Sequence, residues 1–258
     1  MKLKSVFLSA FLFMFGAGAA SAHTAFLLPS DFTPDGNVVS VDAAYGATFF
    51  TPEIGVSADF HATGPRGGDG FFQSRRIGAH SSTLDLLTPD DGTYRVSTGE
   101  MLGPVTTMVA QDGAWRPLAQ GETPPEGAET TTIQTVTVAD TYLSKGAPND
   151  AALAEPAGRL AIHPITNPTQ ASVQSGLTLE LLFDGQPFPN MPFVLYEQGA
   201  PETDLTHSFV TGADGRAHLS FTHPGRYLAA VRYRTEAPEG ADTDVQSYTT
   251  TITFEVTQ

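Results

Sequence analysis

A chain of 258 residues with no cysteine and a formal charge of −15 has to hold its cores by packing alone, and the sign of its charge disfavours nucleic acid and anionic lipid. The missing thiols also exclude disulfide scaffolds, cysteine-ligated zinc sites and an anchor on a lipidated cysteine. The acidic surplus admits solubility or the attraction of cations.

The first predicted element is a secretory leader. Lys2 and Lys4 precede an apolar run over residues 5–15, and Ala20-Ser21-Ala22 supplies a small-residue cleavage box. The run is too short for a membrane span. Residues 1–22 are therefore expected to be removed, leaving His23 as the new terminus of a periplasmic chain with no membrane anchor. Cleavage also takes both leader lysines away, so the mature chain is two charges more negative.

Beyond the leader, helix signals are weak, and apolar alternation is broken at short intervals by Gly, Pro and Asp-Gly turns, the pattern of strands joined by turns. Strands are predicted over residues 38–43, 57–63, 93–98, 106–110 and 131–138 in the first half. In the second half they are predicted over residues 177–183, 192–196, 217–221, 226–233 and 248–256. Residues 119–129, with Pro124-Pro125, read as a polar loop. Residues 146–156 read as a linker with room for one short helix.

A faint repeat supports two β units. Asp91-Gly92-Thr93-Tyr94 and Pro224-Gly225-Arg226-Tyr227 each place a turn glycine two positions before a tyrosine that opens an apolar strand. This is the form of the tyrosine corner of immunoglobulin-like sandwiches. The expected fold class is all-β: two immunoglobulin-like β-sandwich domains in tandem, over residues 23–145 and 157–258.

His23 is the sharpest chemical feature. As a terminus it offers an α-amine and its own ring Nδ1 to one ion, and nitrogens in a tetragonal plane suit Cu(II) and Ni(II). A second imidazole would complete a histidine brace. Asp59-Phe60-His61 is the next candidate, because on a strand Asp59 and His61 share a face while Phe60 takes the other. Glu53, in a proline-containing loop just upstream, could add an oxygen ligand. His80, His163, His207, His218 and His223 carry no metal-binding spacing, and His163 reads as structural.

Other chemistry finds no anchor. There is no HExxH, no Gly-x-Ser-x-Gly and no phosphate loop, since the glycine-rich stretch 64–70 lacks the Gly-Lys-Ser/Thr ending. No catalytic residue is expected and the chain is not read as an enzyme. Of the pairs Phe49-Phe50 and Phe71-Phe72, one ring of each would need cover from outside its own sandwich.

Several segments together resemble a known family. They are Ala22-His23-Thr24-Ala25-Phe26-Leu27-Leu28-Pro29, Phe49-Phe50-Thr51-Pro52-Glu53, Asp59-Phe60-His61-Ala62-Thr63-Gly64-Pro65 and Gly92-Thr93-Tyr94-Arg95-Val96. Leu182-Phe183-Asp184-Gly185-Gln186-Pro187 and the stretch 247–256 extend the likeness to the second half. They are similar to a bacterial periplasmic domain-of-unknown-function family associated with cobalt/nickel uptake as the periplasmic component of an ABC transport system. The resemblance implies periplasmic location, immunoglobulin-like domains and a transition-metal role.

The leading expectation is a binding or delivery protein for Ni, Co or Cu, with metal ligands His23, His61 and Asp59. Its partner would be a membrane transporter or an outer-membrane receptor. The alternatives are a non-metal sandwich module that recognises a protein or glycan, and, least favoured, a copper-dependent oxidase.

Overall fold

The computed structural model describes residues 23–154 and 156–258. The predicted leader lies outside the described residues. The first half contributes β1 (Thr24–Pro29), β2 (Val38–Gly46), β3 (Ile54–Gly55), β4 (His61–Thr63), β5 (Phe72–Arg76) and β6 (Ser82–Leu87). It continues with β7 (Gly92–Ser97), β8 (Met101–Leu102), β9 (Thr106–Gln111), β10 (Ala114–Pro117) and β11 (Thr130–Lys145). The second half adds β12 (Leu160–Pro164), β13 (Leu177–Phe183), β14 (Gln186–Pro187) and β15 (Pro192–Glu197). It ends with β16 (Ser208–Val210), β17 (Arg216–Leu219), β18 (Gly225–Glu236) and β19 (Val245–Val256). Among the described residues the only helical elements are 3-10 turns at Ala151–Leu153 and Pro168–Gln170. The all-β class expected of the sequence is what the chain adopts.

The strands form three sheets. The first has the order β1-β2-β6-β5, with β3 on β2. The second holds ten strands along β10-β9-β11-β19-β18-β15-β16, with β7 and β8 also on β11 and β4 on β7. The third is β12-β13-β14, with β17 on β13.

The ten-stranded sheet is a wall between two cores, because its central strands β11, β18 and β19 bury residues on both faces. On β11, Ala139 and Leu143 enter a core with Leu27, Val41, Leu84 and Leu86 of the first sheet. Val136 and Tyr142 of the same strand enter a second core with Leu179, Leu181 and Leu219 of the third sheet. β18 alternates likewise: Tyr227, Ala229 and Val231 join the second core, while Leu228 and Ala230 face the other way.

That other face carries a third, smaller cluster. Leu228, Ala230 and Tyr196 meet Phe26, Ala44 and Phe49 there. Phe49 is fully buried, its ring 4.6 Å from Tyr196, and Phe50 packs edge-on to Phe26 at 5.3 Å. Both rings of this pair thus sit in one cluster, because residues 49 and 50 lie in a turn, where strand alternation does not apply. Phe71 stays 68% exposed.

Some boundaries differ from those predicted. Of residues 57–63 only His61–Thr63 pair, against β7. β11 runs seven residues past the predicted end at Val138, because Asp140 is buried against Arg95 at 2.8 Å. A buried carboxylate in a strand reads from sequence as a strand's end. The segment 146–156 holds one 3-10 turn, within the room allowed for it.

Candidate functional site

His23 stands immediately before β1, whose Thr24 pairs with Gly46 at the end of β2. The chain then folds back through residues 47–53, and the Glu53 N–H donates to the Tyr45 carbonyl at 3.0 Å. Gly46 makes this return possible. A Cβ there would lie 2.4 Å from the Thr51 carbonyl oxygen and 3.3 Å from the Phe26 ring. The return lays Glu53 against the residue that precedes β1.

The result is a direct contact. His23 Nε2 lies 2.7 Å from Glu53 Oε2, and the Ala47 N–H donates to Glu53 Oε1 at 3.0 Å. The Ala47 N–H, and after it the His23 ring, hold the Glu53 carboxyl below its usual range. An ionised carboxylate accepts only, so the His23 ring donates from Nε2. In the neutral ring Nδ1 then keeps its lone pair. His80 braces the same loop, its Nδ1 lying 3.0 Å from the Glu53 carbonyl oxygen.

Thr24 is tied down on the other side. Its hydroxyl donates to Glu202 Oε2 at 3.0 Å and accepts from Arg232 Nη2 at 2.6 Å. Arg232 Nη1 also donates to the Tyr196 hydroxyl at 3.2 Å, which donates in turn to the Glu202 carbonyl at 3.1 Å. Thr24 is 2% exposed. The run Ala25 to Leu28 lies within β1, with Ala25, Phe26 and Leu27 fully buried.

The other candidates lie on or just before another strand. His61 is exposed at the start of β4, paired with Ser97 in the ten-stranded sheet, whereas His23 leads into the first sheet. Asp59 precedes that strand with its carboxylate 90% exposed and 3.9 Å from Arg75. Phe60 between them is buried. Among the described residues no group of three or more His, Asp or Glu is placed to hold a metal ion, so His23, His61 and Asp59 are not gathered as a trio. His163 is structural as read, its Nδ1 3.1 Å from Glu180, which also accepts from Arg216 at 3.2 Å.

Glu202, Arg232 and Tyr196 went unnoticed in the sequence. Their partner Thr24 is 178 residues from Glu202 and 208 from Arg232, and no local pattern reports a contact at that range. Elsewhere, a cavity of about 210 Å³ opens beside the glycine-rich stretch 64–70, between Arg66, Phe71 and Tyr94. Among the described residues no helix is long and apolar enough to cross a membrane.

Fold and site define an all-β sandwich protein that presents a histidine–carboxylate pair on a tethered strand. The chain belongs to the family described as "Domain of unknown function (DUF4198)", which matches residues 20–235. No curated protein matches it. Among solved structures, the D0-D1 domain of intimin is similar at 12% identity and a TM-score of 0.21, covering 89% of this chain and 96% of that one. The human OSCAR ligand-binding domain is similar at 15% identity and a TM-score of 0.19, covering 88% and 96%.

Proposed function

We propose that this chain is an exported transition-metal binding or delivery protein whose chelating unit is the α-amine and Nδ1 of His23, freed by cleavage after Ala22. The observation that carries the reading is the bond from His23 Nε2 to Glu53 at 2.7 Å. Histidines that bind a metal through one ring nitrogen characteristically donate the other ring N–H to a carboxylate or carbonyl, which fixes tautomer and ring direction. Here the bonded nitrogen is Nε2. The one left open, Nδ1, is the ring nitrogen that can close a chelate with the amine of the same residue.

Donor chemistry narrows the cargo. An amine and an imidazole suit Cu(II) and Ni(II), with Co(II) weaker in the same order of affinities. Glu53 holds the ring, and His80 steadies the loop that carries Glu53. The contacts found supply no support for His61 and Asp59 as ligands. A terminal chelate at the surface suits a protein that passes an ion to a transporter or receptor.

The test compares the protein starting at His23 with one carrying an added methionine before it. After dialysis, metal content by mass spectrometry is expected to be stoichiometric in the first and near background in the second. Equal metal in both would sink the proposal.

A further inference from the structure

The chelate proposed for His23 would be built by the N-terminal half, yet its geometry is set by the other half. The hydrogen bonds run in a closed circuit. The His23 ring donates to the Glu53 carboxylate, which also accepts from the Ala47 N–H. The Ala47 carbonyl accepts from the Glu202 N–H at 2.8 Å, and the Glu202 carboxylate accepts from the Thr24 hydroxyl at 3.0 Å. Thr24 is bonded to His23, and the circuit closes.

Each side of the circuit has its own support. The loop that carries Glu53 is stitched to residues 199–201 by the Phe49 N–H donating to the Ala200 carbonyl at 2.9 Å, by the Gly199 N–H donating to the Phe49 carbonyl, and by a bridge between Thr48 and Pro201. The β1 side is held by Arg232, which reaches both Thr24 and Tyr196. Thr24 and Tyr196 are 2% and 1% exposed, so water does not readily replace these partners.

We infer that Glu202 and Thr24 are positioning residues of the His23 site: through Ala47 on one side and the peptide bond to His23 on the other, they fix where the ring meets Glu53. The inference deepens the metal-binding reading and rests on it for its purpose. The positioning itself is a property of the metal-free chain and is measurable there. Outer partners of metal ligands typically matter about 10–100-fold in affinity, so a break in this circuit registers as a clear loss.

The experiment uses the chain starting at His23 and three variants. Thr24→Val removes the hydroxyl and keeps the shape, Thr24→Ser keeps the hydroxyl, and Glu202→Gln alters the partly exposed acceptor should a buried change disturb folding. Two readouts are taken: the imidazole nitrogen NMR of His23 in the metal-free protein, and Cu(II) affinity by competition with a chromophoric chelator. Thr24→Val and Glu202→Gln are expected to lose the Nε2–H tautomer signature and to bind Cu(II) about 10-fold more weakly, with Thr24→Ser restoring both.

The outcomes separate the two claims. Ring signals and affinity unchanged in Thr24→Val and Glu202→Gln would overturn the positioning role and leave the metal reading standing. A native chain that takes up no Cu(II), Ni(II) or Co(II), yet shows the ring shift in both variants, would support the positioning and remove the metal reading.

Discussion

Glu53 keeps its contact with His23 well into the acid range. Its carboxyl is held low, first by the Ala47 N–H and then by the His23 ring. A depressed carboxylate contributes its contact fully above the ordinary value of 4.5 and loses it as pH falls through the depressed one. In the proposed chelate the ring–carboxylate bond would therefore outlast metal binding on acidification, since the proton competing with the metal would sit on the α-amine at ~7.7–8.0. Metal affinity is expected to rise with pH through that range, and Glu53→Gln to lower it about 10-fold at every pH. Calorimetric titration across pH 6–9 checks both, and a Glu53→Gln protein with native affinity would count against the orienting role.

At this scale the sequence was partly legible. The predicted cleavage box made His23 stand out, and Glu53 lay in a short loop near enough to be noticed. Alternation would put Asp59 and His61 on one face, yet it places side chains relative to their own strand only, and strand pairing begins at His61. Alternation carries no information about which sheet that strand joins.

Among the elements, β11 shows best what local pattern reads and what it misses. Its Thr-Val alternation up to Val138 is plain, while the continuation through Asp140, Tyr142 and Ser144 looks polar. The strand is buried there because Asp140 meets Arg95 at 2.8 Å, both at most 5% exposed, with the guanidinium 5.9 Å from the Tyr142 ring. Burial drives the Tyr142 hydroxyl well above its usual pKa. Breaking a buried pair by removing one partner typically costs about 3–5 kcal/mol. Asp140→Ala is expected to lose that much in urea unfolding, whereas Asp59→Ala, at an exposed ion pair, changes stability little. A near-neutral Asp140→Ala would show that the pair does not hold β11 in place.

The two turn-then-tyrosine segments were legible because their bonds are local. Tyr94 donates to the Asp90 carbonyl and Tyr227 to the His223 carbonyl, each at 2.8 Å and four residues back. Gly92 at φ 128° carries the first turn in a conformation that favours glycine. Tyr227 is raised to about 12 by burial and by Glu197 beside it, so its hydroxyl stays a donor across the physiological range. Repeats of this kind report two cores and say nothing of how the cores are joined.

For the whole molecule, the joint is the parallel pairing of β11 and β19, from Ile133 with Val245 to Thr141 with Thr253. Thr141 also donates to the Thr253 carbonyl at 3.0 Å, and Asp244 accepts from the Thr132 N–H at 2.8 Å. Both cores lean on these two strands, so neither can lose them alone. Thermal unfolding of the mature chain is expected to be a single cooperative transition, with calorimetric and van't Hoff enthalpies equal. Two resolved transitions would mean that the cores separate. Parallel pairing across more than a hundred residues leaves no trace in a local pattern, and this is why the shared wall could not be read from the sequence.

The bond from the Thr251 hydroxyl to the Ala25 carbonyl, 2.9 Å long, spans 226 residues. A polypeptide delivered N-terminus first, from a ribosome or through a narrow pore, has its earliest strand ready long before the last one that covers it emerges. Packing of β1 against β19 must then await completion of the opposite end of the chain.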